Sequence, residues 1–170
     1  AAAIVERVRS YAKGTRSERV SSEVSELVNK AVREFKRQSG ERVEVWVLQE
    51  QPVYIIVNPL EFELVIINLL RNAAQALQEL GVLNPKVALT IKREDNKALI
   101  AIEDNGHIEK EKIEKLSEPT NSTKADGLGL GLQIVRSIIE NHGGKIFFSR
   151  AASGGLRVEI RLPAEETTEQ

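Results

Sequence analysis

The stretch Asp126-Gly127-Leu128-Gly129-Leu130-Gly131-Leu132 runs directly into Gln133-Ile134-Val135-Arg136-Ser137-Ile138-Ile139, where apolar residues recur at helical spacing. Glycines at 127, 129 and 131 carry no Cβ, so their backbone N–H groups stay uncovered, and the helix that follows turns its positive dipole end toward them. Uncovered N–H groups at a helix N-terminus form an anion site. The plainer reading is a glycine-rich turn before an amphipathic helix, and the glycine motif alone does not choose between the two.

Three further stretches bear on that choice. Asn68-Leu69-Leu70-Arg71-Asn72-Ala73-Ala74-Gln75-Ala76 lies within a helical pattern, Ile102-Glu103-Asp104-Asn105-Gly106 at a strand end, and His142-Gly143-Gly144 just after the helix that leaves the glycines. In order and spacing, these motifs resemble the ATP-binding domain of sensor histidine kinases, a group shared with DNA gyrase, the Hsp90 chaperones and MutL. The resemblance covers roughly residues 20–163, and several motifs in one order are far more specific than any one of them.

Composition agrees with one domain. With 170 residues, 41% of them apolar, and a net charge of −1, the chain can bury one sizeable core and carries no general bias toward nucleic acid or acidic lipid. It has no cysteine and hence no disulfide, and no apolar run of membrane-spanning length or signal-peptide pattern is present. A cytoplasmic module without direct membrane contact is expected, compatible with a membrane-anchored sensor as its parent. The absence of methionine suggests a piece of a longer protein.

Residues 1–19 form the first expected unit. Ile4, Val5, Val8 and Tyr11 share one side of a helix over Ala1–Lys13, followed by a polar break, and the resemblance makes this the end of a dimerisation-hairpin helix and its linker. The phosphoacceptor histidine is then expected upstream, since the only histidines are His107 and His142 and neither sits in an amphipathic helical pattern. Residues 20–163 make the ATP-binding unit and 164–170 a polar tail. Ser22 is a candidate N-cap for a helix reaching about Gln38, and strands are expected over Val43–Val47 and Val53–Val57 around a turn at Pro52. Trp46, a lone aromatic on a strand, reads as surface cover.

Asn58 as cap and Pro59 at the first helical position open the next helix, which runs to Leu80 before Gly81. Phe62, Ile66, Leu70, Ala73, Leu77 and Leu80 make its expected core stripe. Asn68, Asn72 and Gln75 fall within about 60° of one another on the helix, so their amides share a face. The resemblance makes Asn72 the Mg²⁺ ligand, a neutral amide oxygen suited to a hard cation already neutralised by a triphosphate. In the related ATPases, the position corresponding to Asn68 carries a glutamate that activates water. An amide cannot accept that proton, so feeble hydrolysis is expected.

The alternation Ile100, Ile102, Asp104 puts a carboxylate on a core face, where it needs a partner. The resemblance supplies one, the exocyclic amine of adenine. Where the family usually reads Asp-Asn-Gly-Pro-Gly-Ile, this chain has Asp104-Asn105-Gly106-His107-Ile108, one residue shorter. His107 plugs the shortened turn or touches phosphate or ribose. The polar segment from Ser117 to Lys124, without the family's phenylalanines, reads as a lid, with Lys124 as its phosphate contact. Strands over Lys145–Ala151 and Leu156–Leu162 make a closing hairpin, the second alternating apolar and charged residues.

The expected fold is a two-layer α/β sandwich of the Bergerat ATP-binding type: a mixed, mainly antiparallel sheet under about three helices. The expected ligands are ATP or ADP and Mg²⁺. Asn68, Asn72 and Lys124 form the catalytic set. Asn72, Arg71, Asp104, Gly106, His107, Ile108 and Lys124 bind nucleotide, together with Gly127, Leu128, Gly129, Leu130, Gly131 and Leu132. The implied activity is transfer of the γ-phosphoryl group to a histidine on a dimerisation domain of the same protein, with a response regulator downstream. The alternatives are an ATP-hydrolysing gyrase- or Hsp90-like domain, and a nucleotide-sensing module without catalysis.

Overall fold

The computed structural model describes residues 18–118 and 129–166. The expected N-terminal helix, the segment from Pro119 to Leu128 and the end of the tail lie outside them. Among the described residues, strand β1 (Val20–Glu23) leads into α1 (Val24–Ser39), then β2 (Glu44–Gln49), β3 (Tyr54–Val57), α2 (Pro59–Leu80), β4 (Lys86–Glu94) and β5 (Lys97–Asp104). There follow α3 (Lys110–Ser117), α4 (Gly129–Asn141), β6 (Lys145–Arg150) and β7 (Leu156–Pro163).

The main sheet has the order β2-β4-β5-β7-β6, with β2 and β4 parallel and the remaining pairs antiparallel. It is the mixed, mainly antiparallel sheet expected, with four helices among the described residues. Val87, Leu89 and Ile91 of β4, Ala98, Ile100 and Ile102 of β5, and Val158, Ile160 and Leu162 of β7 are all buried. They alternate with partly or fully exposed residues along most of each strand, as period-2 side-chain direction requires. On the open face, Arg157 pairs with Glu103 and Glu159, and Arg161 with Glu159. Trp46 is half exposed, surface cover as its lone position on β2 implied.

Helix α2 is bounded by local rules. The Asn58 side chain accepts the Glu61 N–H at 3.1 Å, Pro59 occupies the first turn, and Gly81 closes the helix in the left-handed region. Phe62, Ile66, Leu70, Ala73 and Leu77 are buried as the stripe predicts, but Leu80 is 51% exposed, because it lines an open cleft and not the closed core. His142 is buried and joins two helices. Its Nδ1 donates to Ile138 O at 2.7 Å, and its Nε2 accepts the Asn58 backbone N–H at 3.2 Å, which keeps the ring in one neutral tautomer.

The start of α1 differs from expectation. Residues Val20–Glu23 form a strand antiparallel to β3, and the helix begins at Val24 with Glu23 at the N-cap position, making no side-chain cap bond. Ser22 instead donates to Val20 O. Strand pairing is continued by the Val24 N–H to Val53 O bond, which satisfies a donor that a cap at Ser22 would have reached. No helix among the described residues is long and apolar enough to cross a membrane.

Candidate nucleotide site

A cleft of about 330 Å³ opens between α2, the C-terminal end of β5, α3 and the start of α4. Its wall is mainly apolar, including Leu69, Ala73, Ile102, Leu132, Phe148 and Val158. Into it face Asp104 and Asn72, the polar pair that the sequence singled out.

Asp104 sits at the end of β5, only 7% exposed. Its Oδ1 accepts the N–H of Gly106 at 2.9 Å and that of Leu156 at 3.4 Å. Burial pushes its pKa up, and the two N–H groups only partly offset that rise. Among the described residues no side chain donates to Oδ2, which leaves one carboxylate oxygen for a ligand in a mainly apolar slot. The turn after it is locked by Asn105, whose Oδ1 accepts Lys86 N–H and whose Nδ2 donates to Asn84 O, both at 2.8 Å.

The support behind Asp104 comes from the loop that closes the hairpin between β6 and β7. Gly154 O accepts Ile108 N–H at 3.0 Å, and Ser153 Oγ donates to Asp104 O at 3.2 Å. At Gly155 an added Cβ would lie 2.2 Å from Asp104 O and 2.3 Å from its Oδ1. Only glycine permits that approach, and the Gly154-Gly155 pair was the sequence signal for a close backbone contact. Gly155→Ala is therefore expected to cost about 2–4 kcal/mol of stability, since the clash is partly with backbone that cannot rotate away. Urea denaturation checks this, and a variant as stable as the original chain would show that the loop yields freely.

Asn72 lines the cleft on α2, and Asn68, one turn earlier, lies beside Gly131 at the start of α4. Asn68 Nδ2 donates to Leu64 O at 2.8 Å, and its Oδ1 lies 3.4 Å from where a Cβ on Gly131 would be. Thus the fold brings Asn68, Asn72, Asp104, Gly131 and Leu132 to one region. Gly106, His107 and Ile108 follow Asp104 around the cleft mouth, where His107 pairs with Glu109 at 3.0 Å. The helix begins at Gly129, so Gly129, Leu130, Gly131 and Leu132 form its first turn and not a loop ahead of it. Lys124, Gly127 and Leu128 lie outside the described residues, as does the side chain of Leu130.

Arg71 does not join this group. One residue before Asn72, it points about 100° away around α2 and lines a separate groove with Ser39, Arg42, Gln75 and Pro85. Gln75 goes with it, so the amide face shared on the helix is divided between two surfaces.

Residues 57–166 match the family described as histidine kinase-, DNA gyrase B-, and HSP90-like ATPase. Over 110 residues the chain is 38% identical to the sensor protein TdiS of Thauera aromatica, covering 61% of this chain and 20% of that protein. It is 37% identical over 102 residues to sporulation kinase B of Bacillus subtilis, covering 59% of this chain and 23% of that protein. The chain thus spans between a fifth and a quarter of the length of these relatives. Among solved structures, the catalytic domain of the histidine kinase ThkA superposes with a TM-score of 0.72 at 27% identity, covering 86% of this chain and 95% of that one. A mycobacterial sensor histidine kinase, MprB, also reaches 0.72, at 22% identity over 88% of this chain and 99% of that one, a likeness of fold. With the family description extending over well more than half of its residues, this chain belongs to the histidine kinase-, DNA gyrase B-, and HSP90-like ATPase family, within which it is a catalytic ATP-binding domain of the sensor histidine kinase kind.

Proposed function

We propose that this domain binds Mg-ATP in the cleft and presents the γ-phosphoryl group to a histidine on a dimerisation domain of the same protein, for onward passage to a response regulator. The observation that carries the reading is Asp104: a buried carboxylate at the foot of an apolar slot, with one oxygen held by N–H groups and the other open. An acceptor so placed fits the exocyclic amine of adenine and rejects guanine, which offers a carbonyl at that position.

The residues fit a magnesium ion bound with its nucleotide. Among the described residues no cluster of three or more His, Cys, Asp or Glu could hold a metal. A cation here would be held by the Asn72 amide oxygen together with phosphate oxygens and water, which is the manner in which Mg²⁺ is held. When bound, it would neutralise charge on the phosphates. The N-terminal end of α4, with Gly129 and Gly131 in its first turn, offers backbone N–H groups to the phosphates, and Lys124 would add a cation. Such a set works by positioning and electrostatics, which is most of what phosphoryl transfer asks of a protein.

Transfer is favoured over hydrolysis by what stands near Asn72. Asn68 cannot accept a proton, and its Nδ2 is already bonded to Leu64 O. Glu79, the carboxylate of α2 that lines the cleft, lies seven residues further along, about 10 Å down the axis, and accepts a bond from Gln75.

Calorimetric titration with adenine nucleotides, with and without Mg²⁺, tests the reading. The chain is expected to bind ATP and ADP but not GTP. Asn72→Ala is expected to weaken binding of Mg-ATP by about 10- to 100-fold while changing metal-free ATP by less than about threefold, the loss of one metal ligand. Equal losses for both forms would mean that Asn72 only shapes the wall, and equal affinity for GTP would sink the adenine assignment.

A further inference from the structure

Helix α3 has no buried side chain, yet it supplies Lys112 and Leu116 to the cleft wall. Only Ile113 and Leu116 are even partly buried, so apolar packing holds the helix weakly, and two arginines bond the backbone at its two ends. Arg150 of β6 donates to Ile108 O at 2.9 Å, just ahead of the helix. Arg136 of α4 donates through Nη2 to Leu116 O, among the last carbonyls, which have no partner within their own helix. The Arg136 guanidinium also lies over the Phe148 ring, 5.2 Å from its centroid, and Phe148 is itself part of the cleft wall. A cation set against a helix C-terminus and stacked on an aromatic face is favoured on both counts. The site of Arg136 adds a connection: it stands five residues after Gly131 on the helix that opens in the glycine motif.

We propose that Arg136 is a positioning residue for the nucleotide cleft, tying the wall made by α3 to the helix that begins at the glycines. The inference rests on the function proposed above. If α3 were loosened, Lys112 and Leu116 would leave the position that closes the slot, and the bound nucleotide would lose contact on that side. A backbone carbonyl needs only one donor, so lysine at 136 can replace the contact and alanine cannot.

The test compares the unmodified chain with Arg136→Ala and Arg136→Lys by calorimetric titration with Mg-ADP and by amide hydrogen exchange across residues 110–117. Arg136→Ala is expected to weaken Mg-ADP about tenfold and to speed exchange in α3 while leaving β4, β5 and β7 protected. Arg136→Lys is expected to come back to within about threefold of the original affinity. Recovery by lysine is the result that a loss of general packing would not give. Unchanged affinity in Arg136→Ala, no recovery in Arg136→Lys, or faster exchange throughout the sheet each overturns the inference while leaving the proposed function standing. Failure of the unmodified chain to bind Mg-ADP at all overturns both.

Discussion

Asp104→Asn is expected to weaken ATP binding by about 100-fold or more while leaving the fold as stable as before or more so at neutral pH. The asymmetry follows from the two oxygens of this carboxylate. Oδ1 accepts the N–H groups of Gly106 and Leu156, and an asparagine would turn its own oxygen to them. Its NH₂ would then face the cleft, setting a donor against the donor amine of adenine. Stability moves the other way because burial already disfavours the charged form. With the folded-state pKa raised above the ordinary Asp value, the folded chain holds this proton more tightly than the unfolded chain. Any stability tied to Asp104 is therefore greatest below its ordinary pKa and is lost as pH climbs through the raised one. The asparagine variant should lack that decline, so its denaturation midpoint should gain on that of the original chain between acid and neutral pH. Wild-type affinity for ATP in this variant would remove Asp104 from the site, and an unfolded variant would show that the carboxylate is structural.

The second large effect concerns the missing acceptor. On the proposed function, residues 1–170 alone are expected to bind γ-labelled ATP and neither release phosphate quickly nor keep label, whereas adding the dimerisation hairpin that this reading calls for should raise labelling about a thousandfold or more. Holding an acceptor in line with the γ-phosphate can be worth ~7–11 kcal/mol, and the proposed function gives that role to neither histidine of this chain. His142 is buried with both ring nitrogens engaged, and His107 is paired with Glu109 at the cleft mouth. The label should survive base and be lost in acid, as a phosphoramidate on histidine would be. Rapid phosphate release by residues 1–170 would favour the ATP-hydrolysing reading. No labelling with the hairpin present would favour a nucleotide-sensing module without catalysis.

Much of this architecture was legible because it follows from neighbours along the chain. Asn58, Pro59 and Gly81 bound α2 as their cap and turn chemistry requires. The strands on either side of Asp95-Asn96 pair antiparallel across a two-residue turn, a contact between chain neighbours. Continuing the period from Ile100 and Ile102 placed Asp104 inward, where it is found. Less legible were features that depend on a competing partner. Ser22 had the chemistry of a cap, but β3 supplied a ladder first, and Leu80 had the spacing of a core residue but lines an open cleft.

The amino-acid sequence by itself determined which elements form and which residues share a face, and it singled out a carboxylate, an amide pair and a glycine helix as the candidates for the proposed site. Period and capping are set within a few residues, so they can be read without knowing where the chain goes next. Only the tertiary structure decided which surface each face would meet. It parted Arg71 from Asn72, set β2 parallel to β4 while β1 joined β3, and brought Gly155 and Leu156 against Asp104 from some fifty residues away. A helical wheel gives angles about one axis, and the contacts that build this site join segments whose separation in sequence carries no period.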